Sequence, residues 1–238
     1  MKYEESLMKP FTDLKKLAIG IVLSIIPIVN FTIVTGFAME SSGLGKAKAS
    51  SKMPEWDDWN YLFMKGLGAF AIKLIYMIPA IAFIAIGIGV AVSDIVAAVA
   101  GSISPEMMGQ MAGGQVAANS QLAQIFAQNW TALLPGLMEA APLIMVGMLL
   151  ALAAAFITPI AVLNYLSKRN FSAAFDFGVI LHKSFTSKYV MAWLMMLVVS
   201  IVVGAVLSFI PLLGQAMAMF VLSVMSYGLY GQAFKEAK

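Results

Sequence analysis

Long uncharged apolar runs alternate along this chain with short lysine-bearing segments. The longest, from Tyr189 to Phe234, holds 46 residues without Asp, Glu, Lys or Arg. A membrane-crossing helix needs about 20 apolar residues. The run therefore predicts two antiparallel helices, residues 189–209 and 212–234, joined at Phe209-Ile210-Pro211-Leu212-Leu213-Gly214. Upstream, residues 69–93 and 130–167 each carry an apolar stretch long enough to span. Residues 94–129 between them are less apolar and rich in Gly, Ala, Ser, Gln, Met and Asn. A short amphipathic helix is expected there over 120–128, where Leu122, Ile125 and Phe126 recur at helical spacing. Residues 17–38 differ from the other runs. Two apolar halves meet at Ile26-Pro27-Ile28-Val29-Asn30, each about 15 Å of helix, roughly half the hydrocarbon thickness.

Composition agrees with the pattern. Hydrophobic residues make up 61% of the 238 and charged residues 11%, with a mean hydropathy of +0.89; soluble domains sit near 25% charged. The expected fold is an all-α polytopic membrane bundle in a single membrane domain, residues 1–238. It has about four full spans plus an N-terminal re-entrant hairpin or fifth span over 17–38. The net charge of +3 is small, and the lysines flank apolar runs rather than form a stripe, which excludes a nucleic-acid role. No cysteine is present, which removes disulfides, thiolate metal sites and cysteine nucleophiles. The single His182 excludes a histidine metal cluster within one chain. No hydrolase, phosphate-loop or nucleotide motif occurs, so no enzyme activity, cofactor or metal is expected. Pro27 and Asn30 break the first apolar run, and no clear cleavage site follows, which argues against a cleaved signal peptide.

Lysine and arginine in short loops mark the cytoplasmic side. They occur in the N-terminal segment (Lys2, Lys9, Lys15, Lys16), in the first loop (Lys46, Lys48, Lys52, Lys65), in 168–188 and at the C-terminus, and are absent from 74–167. This places 94–129 outside, with 168–188 and the C-terminus inside. A parity problem follows, because basic segments stand on both sides of 17–38. Either the segment spans and the rule is broken at one end, or it enters and returns. Two half-length pieces fit the return, and non-helical backbone at that depth must be covered by protein. An internal echo agrees: Val22-Leu23-Ser24-Ile25-Ile26-Pro27-Ile28-Val29-Asn30 matches Val206-Leu207-Ser208-Phe209-Ile210-Pro211-Leu212-Leu213-Gly214 in pattern, as in an internal structural repeat.

The most distinctive segment is Met53-Pro54-Glu55-Trp56-Asp57-Asp58-Trp59, followed by Leu62-Phe63 and Gly66-Leu67. With the Ile-Pro segments at Pro27 and Pro211 and Ala173-Ala174-Phe175-Asp176, it resembles the signature of domain-of-unknown-function family 4013. The resemblance covers most of the chain, except 101–128. It implies a small multi-pass membrane protein of archaeal type and implies no activity.

Several residues admit a structural and a functional reading. Pro54 suits a first helical position, and Asp57 and Asp58 a helix start. Trp56 and Trp59 suit one interfacial face, so 54–68 is expected to be a cytoplasmic interfacial helix. The functional alternative is that the two aspartates bind a cation or a basic partner segment. Glu139 and Asp94 are acids near the outer ends of spans, and an ionisable group inside a membrane is a functional candidate by default; the bland reading puts both in water. Asp176 is expected to pair with a loop lysine or cap a helix, with Asn170 or Ser172 as a further cap. Gly204-x-x-x-Ser208 and Ala151-x-x-x-Ala155 permit close helix contacts.

Two functions fit. One is a structural, assembly or accessory protein that contacts membrane lipids and associates with itself or another membrane protein. The other is a small transporter or channel-like carrier for a lipid or hydrophobic solute, with Asn30, Thr32, Thr35, Ser24 and Asn164 as its polar lining.

Overall fold

A computed structural model describes residues 2–47, 52–102 and 130–237. The helix expected over 120–128 lies outside them. Among the described residues the elements are helices and turns, and four helices are long and apolar enough to cross a membrane. In chain order the helices are α1 (Tyr3–Met8), α2 (Leu14–Ser24), α3 (Pro27–Val29), α4 (Thr35–Glu40), α5 (Trp59–Ser102), α6 (Trp130–Lys168), α7 (Phe177–Ser184), α8 (Ser187–Leu207) and α9 (Leu213–Glu236). A π-helical turn, Asn30–Val34, joins α3 to α4. The architecture is an all-α polytopic bundle. It forms two compact units, one ending at Tyr76 and resuming at Ala154, the other running Met77–Ala153.

In the first unit α9 is the central helix: 56% of its most apolar window is buried, against 11% in α8. The N-terminal segment folds as a helical hairpin along it. Asp13 caps α2, accepting from the Lys16 N–H at 3.1 Å. The chain turns at Ile25-Ile26, and Pro27 opens the returning arm at a first helical position, where a missing N–H leaves no bond unmade. Within the turn, Ile25 N–H donates to Val22 O, Ile26 N–H to Leu23 O and Asn30 N–H to Ile26 O. Gly20 on the outgoing arm and Phe37 on the returning arm both meet Phe220 of α9. At the far end Lys2 meets Gln232 and Ser42 meets Gly231. Both ends of the hairpin therefore lie by the C-terminal end of α9, and its tip lies by the N-terminal end.

Backbone contact holds the returning arm to α5. A Cβ on Gly36 would overlap the Leu62 carbonyl, and one on Gly66 the Thr32 carbonyl. These two reciprocal sites, four residues apart on each helix, let the main chains touch.

The two Ile-Pro tips share a sequence and differ in geometry. Pro27 starts a helix directly. After Pro211, Leu212 sits at φ 61, ψ −60 and Leu213 N–H reaches back to Pro211 O at 2.7 Å, a γ-turn of the rare, strained hand. Gly214 follows because any Cβ there would overlap the Leu207 carbonyl.

The Trp-Asp-Asp-Trp segment corrects the expectation of a helix over 54–68. Residues 54–58 are non-helical, and α5 begins at Trp59 and continues without a break to Ser102. Pro54 therefore is not a first helical residue. Asp58 makes the helix start, accepting from Tyr61 N–H at 3.1 Å.

The second unit has its own device. Gly87 packs on Ile144 and the Ala140 carbonyl, and Gly147 on Ile84 and the Ala80 carbonyl. Ala80, Ile84 and Gly87 repeat the spacing of Ala140, Ile144 and Gly147. Small residues seven apart on each helix bring the pair close through a local two-fold exchange.

Two predictions follow from these contacts. Gly66→Ala should lose of order 1–3 kcal/mol, because backbone cannot yield as a side chain can, whereas Gly89→Ala, which meets open space, should be neutral or stabilising; thermal unfolding in detergent reads both. The second concerns Lys9, which is buried and donates to Ser41 O at 2.8 Å. Burial, then the nearby Lys235 ammonium, pulls its pKa from 10.5 down to about 8. Between those values the unfolded chain holds a proton that the folded chain has released, so this group adds stability as pH rises from about 8 towards 10.5. The rise in melting temperature over that interval should be smaller in Lys9→Met.

Candidate functional site

Three clusters gather the polar residues of the first unit. The first surrounds Glu40, only 4% exposed at the end of α4. Its carboxylate accepts from the Tyr61 hydroxyl at 2.8 Å and the Ala47 N–H at 2.6 Å. Gly45 must lack a side chain, since a Cβ there would overlap Glu40 Oε1. Lys46 and Lys65 face the Tyr61 ring, 4.2 and 5.8 Å from its centroid. Lys46 also pairs with Asp58, whose carboxyl that lysine holds below the usual range. Glu40 closes the loop after the hairpin onto the start of α5. Sequence reasoning missed it; its one signal was an acid at the end of an apolar run, followed by a serine- and glycine-rich loop.

The second cluster is aromatic. Trp56 stacks on Phe37 at 3.7 Å, with Trp59 at 5.6 Å and Phe220 at 6.2 Å. Its indole N–H donates to Lys16 O at 3.4 Å. Lys16 also pairs with Glu55 at 2.5 Å. The segment that reads as interfacial anchoring thus ties both arms of the hairpin to α9. Asp57 is exposed and accepts from the Asp58 N–H, at 2.8 Å. Asp58 is committed to Lys46 and to the Tyr61 N–H.

The third cluster is a cleft of about 340 Å³ along α9. The π-helical turn brings Asn30 and Thr35 to one wall, with the Thr35 N–H and hydroxyl both donating to Asn30 O. Lys73 of α5 and Ser223, Ser226, Tyr227 and Tyr230 of α9 complete its polar lining. Asn30 is 7% exposed, and among the described residues its amide N–H meets the Met219 sulfur, at 3.5 Å, a weak acceptor. A second cavity of about 250 Å³ adjoins it, sharing Asn30, Phe31 and Met219, and reaches both tips at Pro27 and Leu212.

The other expected residues lie apart. Asp176 does both things foreseen, pairing with Lys168 at 3.3 Å and capping α7 through Val179 N–H at 3.3 Å. Asn170 caps the short 3₁₀ turn Phe171–Phe175. Glu139 is exposed, and in the same unit Asp94 lies against Gly136. Ser24 and Thr32 donate to their own helical carbonyls, Gly20 O and Ile28 O. Asn164 holds Ala173 O at 2.8 Å, away from the cleft. Pro211 is exposed at its turn. Among the described residues no group of three or more His, Cys, Asp or Glu is placed to hold a metal.

No curated protein and no solved structure matches the chain. A family model does match, over residues 19–212, a stretch that takes in the hairpin, the Trp-Asp-Asp-Trp segment and the Ile-Pro turn before α9. The chain belongs to the family described as protein of unknown function DUF4013.

Proposed function

We propose that this is a multi-pass membrane protein with a structural or accessory role, not an enzyme. In this reading residues 17–38 form a re-entrant hairpin, the C-terminus faces the cytoplasm, and the chain associates with a second copy. The observation that carries the reading is where its buried charges go. Lys9 and Glu40 are the charged side chains buried among the described residues, and each closes the fold: Lys9 on a helix-end carbonyl, Glu40 on Tyr61 and the 41–47 loop. Lys183 and Lys235 likewise donate to carbonyls at the ends of α9 and α4. The hairpin geometry supports re-entry, since both its arms meet Phe220 of α9 and the flanking Lys2 and Ser42 both reach the C-terminal end of that helix. Support for self-association comes from Gly204, whose missing side chain faces open space within the chain, leaving the Gly204-x-x-x-Ser208 pair free for another helix. The polar cleft favours a second reading, a carrier for a lipid or hydrophobic solute.

Two experiments test the proposal. The chain has no native cysteine, so single cysteines at Lys15, Lys46 and Ser187 report sidedness. All three should label from the cytoplasmic side; labelling of positions 15 and 46 from opposite faces would sink the hairpin. Particle mass in lipid nanodiscs should exceed one chain and fall toward one in Gly204→Leu; a monomeric wild type counts against self-association.

A further inference from the structure

We propose that the cleft between the π-helical turn and α9 binds a phosphate-class anion, with the headgroup of a membrane lipid as the source its shape fits. The inference rests on the membrane reading above. Lys73 carries the argument. Many lysines of the unit meet carboxylates (Lys2, Lys16, Lys46, Lys168, Lys188) or helix-end carbonyls (Lys9, Lys183, Lys235), and Lys65 lies over the Tyr61 and Tyr165 rings outside the cleft. Lys73 has the Tyr227 ring, 6.0 Å away, as its described partner, and no Asp or Glu lines the cleft. Its surroundings are rich in donors. The buried Asn30 amide has a thioether as its described partner, so it can turn to a better acceptor, and hydroxyls of Ser226, Tyr227 and Tyr230 share the same wall of α9. An ammonium with an amide and hydroxyls is a recognition set for an anionic oxygen group.

The shape selects an amphiphile. From Met219 to Tyr230 the cleft follows α9 for about 16 Å, and the adjoining cavity continues it past Ala216 to Leu212 and Pro27. The lysine end is polar and the tip end mostly apolar. Tyr76, one turn beyond Lys73, donates to Ala174 O in the α6–α7 connection, which sets the lysine at the level of that polar connection. A headgroup at Lys73 would leave an acyl chain room along Met219 and Ala216 toward the tips. A free inorganic anion would use only the first part.

The test titrates the purified full chain, in neutral detergent, with dioctanoyl phosphatidylglycerol, dioctanoyl phosphatidylcholine or inorganic phosphate, reading the melting temperature and lipid retention by native mass spectrometry. The anionic lipid should stabilise the wild type and stay bound. Its apparent affinity should weaken about tenfold or more in Lys73→Gln, recover in Lys73→Arg, and be unchanged in Lys15→Gln. Both Lys73 variants must first melt near wild type without ligand; should Lys73→Gln not fold, Thr35→Val and Ser223→Ala together take its place. Equal stabilisation by inorganic phosphate keeps the anion site and overturns the lipid source. Equal binding of the zwitterionic lipid, or binding undiminished in the cleft variants, overturns the proposal. So does the absence of any shift. Cysteine labelling does not involve Lys73, so a failed titration leaves the membrane topology to stand or fall on its own.

Discussion

On the re-entrant reading proposed above, a chain that turns back on itself within an apolar medium must match every polar backbone group there, since each unmatched one costs several kcal/mol. The rest of the first unit follows from that constraint. At Ile25-Ile26 the turn bonds to its own preceding carbonyls, and Pro27 brings no donor that needs a partner. What the tip cannot do alone, α9 and α5 do by covering the arms: Phe220 fills the place left by Gly20, and Gly36 and Gly66 allow main chain against main chain. Larger side chains would part these helices.

The lysines show a second consequence. Read along the chain, they are expected to mark the cytoplasmic side of a membrane. In three dimensions Lys9, Lys183 and Lys235 also close the carbonyl ends of helices, where a cation meets both free lone pairs and the negative end of the helix dipole. The two roles are compatible, because helix ends that need cations and membrane faces that attract them coincide when α4 and α9 finish on the same side. A basic segment on both sides of residues 17–38 is then a requirement of the hairpin as much as a topological label.

The apolar runs were legible because twenty uncharged residues have few other uses, and the four long helices fall where the runs predict. The hairpin was half legible: its interruption at Pro27 was visible, but its direction depended on contacts with α9 some 190 residues away. The Trp-Asp-Asp-Trp segment was legible as distinctive and misread as helix. Pro54 fits a helix start as well as an extended strap, and the choice was made by Trp56 stacking on Phe37, a long-range event. Glu40 escaped because its significance lies in Tyr61 and Gly45 folding over it. The Ala80-Ile84-Gly87 and Ala140-Ile144-Gly147 match lay in plain view, yet alanine, isoleucine and glycine are too common in such helices for one match to declare itself.

The π-helical turn reconciles demands that a regular helix could not meet. Gly36 must face Leu62 so that α4 can lie against α5, and Thr32 must place its carbonyl on Gly66. Asn30, close to the tip, faces α9 instead. One extra residue in the turn offsets the face presented before it from the face presented after it, and the Thr35 N–H to Asn30 O bond closes the wider π-helical turn. The Thr35 hydroxyl helps satisfy that widened stretch and leaves both residues on the wall of the cleft. Close packing on one side of the hairpin and an under-committed polar group on the other thus have a single origin, and the Asn30 amide, with the Met219 sulfur as its described partner, lines the same cleft as Lys73.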